Sequence, residues 1–210
     1  MSFATASSTC VVDAHRIGPL VRFALATGLR QGELLGLRLA NVDTEAMVAH
    51  VRGTLTRADD EGRYELMDTT KTVQSRRTVP LGKTALAALR EEGRARAGER
   101  LAAGSVWAVE PGLVFASPIG TPLHPRNVVR SWHELCDLAG IDRRPFHHLR
   151  HTSATYLLTG GLPMEAVSRL LGHSSVAVTS NVYAEVRDLL TAPAAAVIDA
   201  AMHHSMGGLA

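Results

Sequence analysis

A mainly α-helical fold with a small antiparallel β-sheet near its middle (α+β) is what this sequence predicts, on three observations. Segments with apolar residues at helical spacing, most of them ended by glycine, fill most of the chain. From about residue 47 to 81 the texture changes to short β-rich runs separated by Asp, Gly and Lys turns. The chain has 210 residues, 46% of them hydrophobic and 20% charged, which is enough for a sizeable core and excludes a disordered chain, a collagen or a coiled-coil rod.

The elements follow in order. Gly18-Pro19 opens a helix through Ala26, because proline is pre-set for a first helical turn, and Gly28 stops it. A second helix runs from about Gln31 to Leu39 on Leu34, Leu35 and Leu37. Met47–Arg52, Thr54–Arg57, Arg63–Asp68 and Arg76–Leu81 read as strands of the small sheet. Residues 83–103 return to helix, with Leu86 and Leu89 inward and Arg90, Glu91, Glu92, Arg94 and Arg96 on a solvated outer face. Leu113–Ala116 is short and apolar enough for one more strand. Helices are expected at about 125–139, 147–159, 163–171, 175–183 and 185–202, punctuated by Gly140, Gly160-Gly161 and Gly172. The division expected is a flexible leader over 1–16, one domain over 17–186, and a C-terminal helix and tail over 187–210.

Charge is nearly balanced, with 22 Lys+Arg against 20 Asp+Glu, so its placement matters more than its sum. Only Lys71 and Lys83 are lysines, and that scarcity makes a lysine in a turn notable. Cys10 and Cys136 are far apart and in no metal-type spacing, which suits a reduced, cytoplasmic protein. No signal peptide and no membrane-spanning run is read.

Four segments carry chemistry. In Thr27-Gly28-Leu29-Arg30-Gln31-Gly32-Glu33 the glycine-ended helix sets Arg30 at a helix–helix junction, where Glu33, three residues on, can hold it in one rotamer. Thr70-Lys71-Thr72 falls in a hairpin turn. In Phe146-His147-His148-Leu149-Arg150-His151, a helix puts His147, Arg150 and His151 on one face, an arrangement that suits an anion. Gly172-His173-Ser174-Ser175 ends one helix and caps the next, which carries Tyr183.

Taken together and in this order, the segments resemble the catalytic domain of the tyrosine recombinase (phage integrase) family. TGLRQGELLGLR is similar to its first box, TKTVQSRRTVPL to its lysine-bearing β-hairpin, HHLRHTSATYLL to its second box and LLGHSSVAVTSNVYAEV to its closing box. The likeness spans about Gly18 to Val186. It implies a site-specific recombinase that cleaves and rejoins DNA strands through a 3′-phosphotyrosyl intermediate. In that reading Arg30 and Arg150 grip the scissile phosphate and Tyr183 attacks it. Lys71 protonates the leaving oxygen, His147 assists proton transfer and His173 hydrogen-bonds the phosphate.

Elementary chemistry agrees. Planar arginine forks meet phosphoryl charge in two-point contacts. A tyrosine with an ordinary pKa of about 10 needs cationic neighbours. A 5′-alkoxide leaves well only with a positioned acid. The resemblance implies no cofactor and no metal. Its implied partners are double-stranded DNA attachment sites, a homotetramer on DNA and a directionality factor, with no membrane, in a bacterial cytoplasm at the nucleoid. The segment after Tyr183 docks in cis or on a neighbour.

His148 stands where the family often has Asp, and no role is assigned to it. Related integrases carry a helical core-binding domain ahead of the first box, whereas about seventeen residues precede it here, so that domain is expected to be absent. The alternative function is a truncated, non-cleaving DNA-binding remnant of an integrase. A third, a metal hydrolase on His147, His151 and His173, has an i, i+4 histidine pair in its favour. Against it, no Glu follows the first His as in H-E-x-x-H, and Arg150 would sit beside the metal.

Overall fold

In the computed structural model, residues 11–68, 76–109 and 111–172 are described. They fall into two compact units divided between Ser153 and Ala154.

In the first unit, helix α1 (Gly18–Thr27) starts on Pro19 and ends where Gly28, in the left-handed region at φ 62°, donates its N–H to the Ala24 carbonyl. Leu20, Phe23 and Ala24 lie on its buried face, and the Phe23 ring meets Phe115 at 5.5 Å between centroids. Arg30 is extended and caps α2 (Gln31–Leu35). This helix is shorter than the sequence suggests. It stops at Gly36, after which Leu37 and Leu39 pair through their backbones with Val114 and Gly112. Leu113–Ala116 correspondingly forms isolated bridges to Arg38 and Pro122 rather than a strand. Its backbone is satisfied piecemeal, in part by the Arg96 side chain, which donates to the Leu113 and Val114 carbonyls.

The β-rich region folds as two sheets, not one. Strands β1 (Val42–Asp43), β2 (Val48–Val51) and β5 (Arg77–Pro80) form an antiparallel sheet in the order β1-β2-β5. Strands β3 (Gly53–Arg57) and β4 (Tyr64–Asp68) form a separate hairpin. β1 is a two-residue strand with no periodicity to betray it. The Asp43 carboxylate, accepting from the amides of Glu45 and Ala46, closes its turn.

Helix α2 sits directly on β3. A Cβ at Gly32 would lie 2.6 Å from Thr54 Oγ1 and 2.7 Å from the Leu55 carbonyl oxygen, and one at Gly36 would lie 2.9 Å from Thr54 Cα. Gly32→Ala therefore has to lift the helix that carries Glu33. The expected loss is about 1–3 kcal/mol, the range for overpacking, read as a thermal midpoint lower by several degrees.

Helix α3 (Lys83–Ala103) packs against α1 through Ala85, Leu86 and Ala88. Its charged face is not wholly solvated, contrary to the sequence expectation. Glu92 is buried, with the Arg16 guanidinium at 2.9 and 3.1 Å, and Arg16 reaches Glu99 as well. Arg96 is half-buried over the Trp107 ring. Arg90 and Arg94 are exposed. The two inward charges, Glu92 and Arg96, are tolerated because each has partners: the Arg16 guanidinium for Glu92, backbone carbonyls for Arg96.

Helix α4 (Pro125–Leu138) begins on Pro125 with the His124 imidazole accepting from the Arg126 amide, and buries Val128, Trp132, Leu135 and Cys136 at helical spacing. Trp132 donates through Nε1 to the Arg144 carbonyl at 2.6 Å and meets Phe146 edge-on, which fixes the chain entering α5 (His148–Thr159).

In the second unit, Ala154 and Leu158 of α5 form a small core with Val167 and Leu171 of α6 (Met164–Leu171). Gly172, at φ 68°, ends α6. The helices expected at 175–183 and 185–202 lie outside the described residues. Among the described residues no helix is long and apolar enough to cross a membrane.

Candidate phosphate-binding site

Three of the six site residues, Arg30, His147 and Arg150, are among the described residues, all in the first unit. Lys71, His173 and Tyr183 lie outside them.

The site is built on one buried carboxylate. Glu33 accepts from the Arg30 amide at 2.9 Å and from Arg30 Nη1 at 3.1 Å, so the residue that caps α2 is held by its own third helical neighbour. From the other side Arg77 places Nη1 and Nη2 at 2.8 and 2.7 Å from the two oxygens of the same carboxylate, a two-point fork. Both side chains of that fork are buried, at 7% and 8% exposure, whereas Arg30 is 42% exposed and faces outward. Burial works against the Glu33 charge, but the Arg77 fork, with the Arg30 amide and charge, outweighs it and holds the carboxyl below the ordinary carboxylate range. Arg30 is thus anchored to a fixed anion while its side chain stays partly exposed.

Arg150 comes from α5 and is only 3% exposed. Its Nη1 donates to the Gly28 carbonyl at 2.7 Å, which ties it to the turn immediately before Arg30. Its Nη2 is buried and has no hydrogen-bond partner among the described residues. Burial, aided by the nearby Arg30 charge and opposed by Glu33, lowers this guanidinium to about 10. A buried cation with an orphaned donor is costly unless an anion completes it.

His147 precedes α5 by one residue and is exposed overall, with its ring edge-on to His151 at 4.8 Å between centroids. Partial desolvation, with the charges of His151, Arg150, Arg30 and His148, holds its imidazole below the ordinary histidine range. A ring kept neutral near pH 7 can accept a proton as well as donate one. The shared face expected for His147, Arg150 and His151 divides here: the two histidines meet at the surface, while Arg150 turns into the core. Among the described residues no group of three or more His, Cys, Asp or Glu is placed to hold a metal ion.

Arg30 and Arg77 bond the single Glu33 carboxylate and Arg150 feels its charge, so three guanidinium groups share one anion and the surplus is cationic. Sequence reasoning identified Arg30, Glu33, His147 and Arg150 but missed Arg77. A signal for it exists. Arg77 and Val79 are two apart on a strand, so they share the face on which Val79 is buried. It also missed the Gly28 carbonyl, since no side chain marks a backbone acceptor.

The comparisons with known proteins converge. The Phage integrase family profile matches residues 3–189. A tyrosine recombinase XerC-like protein of Caldanaerobacter subterraneus subsp. tengcongensis is 38% identical over 183 residues, 83% of this chain and 47% of its own length. An integrase of Streptomyces ambofaciens is 43% identical over 117 residues, 54% of this chain and 30% of its own length. The chain thus spans about half the length, or less, of these relatives. Among solved structures, the Tn1549 transposon integrase in complex with circular intermediate DNA superposes with a TM-score of 0.71 at 22% identity, over 84% of this chain and 59% of that one. XerA recombinase superposes with a TM-score of 0.65 at 23% identity, over 91% and 64%. The mainly α fold with small antiparallel sheets is theirs, and the chain belongs to the phage integrase family of tyrosine recombinases.

Proposed function

We propose that this chain is the catalytic part of a site-specific DNA recombinase, and that Arg30 and Arg150 hold the scissile phosphate. The observation that carries this reading is the buried Arg150, whose Nη2 finds no hydrogen-bond partner among the described residues, with the partly exposed Arg30 anchored on Glu33 nearby. Support also comes from the relatives, which are named recombinases and integrases, and from a structural neighbour seen with DNA.

In this mechanism the Tyr183 hydroxyl attacks the scissile phosphorus with His147 assisting removal of its proton. The bond from phosphorus to the 5′-oxygen breaks, and Lys71 gives that oxygen a proton. The products are a 3′-phosphotyrosyl link and a free 5′-hydroxyl. Arg30, Arg150 and His173 meet the charge on the non-bridging oxygens. Rejoining is the reverse, with a 5′-hydroxyl of the partner strand displacing Tyr183. The phosphotyrosine keeps the bond energy, so no nucleotide cofactor is needed. Residues 17–186 form the catalytic domain, and 187–210 pack in cis or on a neighbour in a tetramer on two DNA sites. A directionality factor biases the outcome, in the bacterial cytoplasm on nucleoid DNA.

The test is covalent trapping on nicked duplexes from the DNA flanking the gene. A protease-sensitive protein–DNA adduct is expected on denaturing gels and should vanish in Tyr183→Phe. An adduct that survives in that variant, or no adduct on a duplex the protein binds, overturns the assignment.

A further inference from the structure

A cluster of basic and polar side chains lies on the outward face of the three-stranded sheet. Strands β2 and β5 pair in register, His50 opposite Thr78 and Val51 opposite Arg77. Val51 and Val79 point into the core, so the alternate residues His50, Arg52, Arg76 and Thr78 share the outer face. They line an open cavity of about 390 Å³. His50 Nδ1 meets Thr78 Oγ1 at 3.0 Å, which orients the ring and turns its other nitrogen away from the pair. Arg52 and Arg76 are both exposed. The register carried one step past Val51 and Arg77 sets these two arginines across from each other.

Like charges set opposite on an antiparallel pair are destabilising. A fold stabilised by its own contacts alone has no use for that placement, and among the described residues no acidic side chain lines the cavity to offset it. Two guanidinium forks, with a hydrogen-bonded imidazole–hydroxyl pair that leaves one further donor, line one hollow and match a tetrahedral oxyanion. Strand alternation also divides the Arg76-Arg77 pair: Arg77 turns inward to the Glu33 that anchors Arg30, and Arg76 turns outward.

We infer that His50, Arg52, Arg76 and Thr78 bind a phosphodiester of the DNA backbone other than the scissile one, and so set the register in which DNA reaches Arg30. This rests on the recombinase reading above. The ligand chemistry is phosphate, and the source is the duplex rather than the free ion.

The experiment compares the full chain with the Arg52→Ala/Arg76→Ala double variant in duplex binding from 50 to 300 mM KCl. Removing one phosphate-binding cation lowers the slope of log K against log salt by about 0.9, so a drop of roughly one to two is expected. Arg90→Ala/Arg94→Ala removes the same net charge from the exposed face of α3 and should leave the slope unchanged. The thermal midpoint of the Arg52/Arg76 variant should hold or rise, since a repulsion is removed, and that guards against misfolding. An unchanged slope, or an equal drop in both double variants, overturns the inference while the recombinase reading stands. So does inorganic phosphate at millimolar level shifting the His50 resonances as duplex does, with duplex binding unaltered in the variant. A parent chain that binds no duplex at any salt overturns both.

Discussion

On the proposed mechanism, Arg150→Met is expected to lower DNA cleavage by about 10²–10³-fold, the range for removing one preorganised oxyanion donor, and to leave the folded state no less stable. The two halves of this result have one cause. Arg150 sits in the core, where burial and the nearby Arg30 charge bring its guanidinium down from the ordinary arginine range to about 10, so holding the charge there is costly. Methionine keeps most of the side-chain volume and removes the charge. Against that gain stands the missing bond to the Gly28 carbonyl, worth about 1.5–3 kcal/mol for a charged donor. The midpoint should therefore stay within a few degrees or rise. Added phosphate or sulfate should raise the midpoint of the parent, because an anion completes Nη2, and should lose most of that effect in the variant. Thermal melts with and without phosphate, run beside the trapping assay, check both halves. A variant that melts far below the parent would show Arg150 to be a structural residue first.

Glu33→Gln has the largest expected effect on stability. Its carboxylate is the partner of a buried arginine fork, and breaking a buried pair on one side strands the other charge, at about 3–5 kcal/mol. For a chain of this size that is roughly a 10 °C fall in the midpoint. The diagnostic is rescue: Glu33→Gln combined with Arg77→Met removes the stranded charge and should recover most of the loss. The pH dependence follows from the direction of the shift. Glu33 is held below its ordinary 4.5, so its contribution is complete above that pH and is lost as pH falls through the depressed folded value. Glu92 acts with the opposite sign. Burial pushes its carboxyl up against Arg16, so its penalty eases as pH falls through the raised value. A decline in stability below about pH 4.5 carries the Glu33 contribution beside those of Asp59 and Asp137, which are also held low, and the Glu33 share should be missing from the Gln variant when melts are followed from pH 3 to 7.

The parts of the fold legible in the sequence were those with local physics. Gly18-Pro19 and Gly28 bound α1 where turn chemistry places them, and α4 follows the spacing of Val128, Trp132 and Leu135. What escaped were features decided by distant contact. Leu37 and Leu39 are helical by propensity, but their backbones pair with the stretch around Leu113. Glu92 reads as surface until Arg16, 76 residues earlier, covers it. Of the candidate site, the Arg30–Glu33 contact was legible because residue type and three-residue spacing carry it, whereas Lys71, His173 and Tyr183 lie outside the described residues. Arg77 was hidden beside Arg76: adjacent arginines look alike in sequence, and only strand alternation assigns one to the core and one to the surface.

The glycine seat of α2 on β3 has a further consequence, for sequence change over long times. Most contacts in a core can be renegotiated by exchanging one side chain for another of similar volume. At Gly32 and Gly36 the helix main chain rests on the strand itself, at Thr54 and Leu55, and there is no side chain to exchange. Drift at Leu34, Leu35 or Val51 can reshape the oil around α2 without moving its seat. The anchoring carboxylate of Glu33, and with it Arg30, is thereby insulated from neutral turnover in the rest of the core, and the surrounding sequence is free to diverge while the geometry of the anion seat stays put.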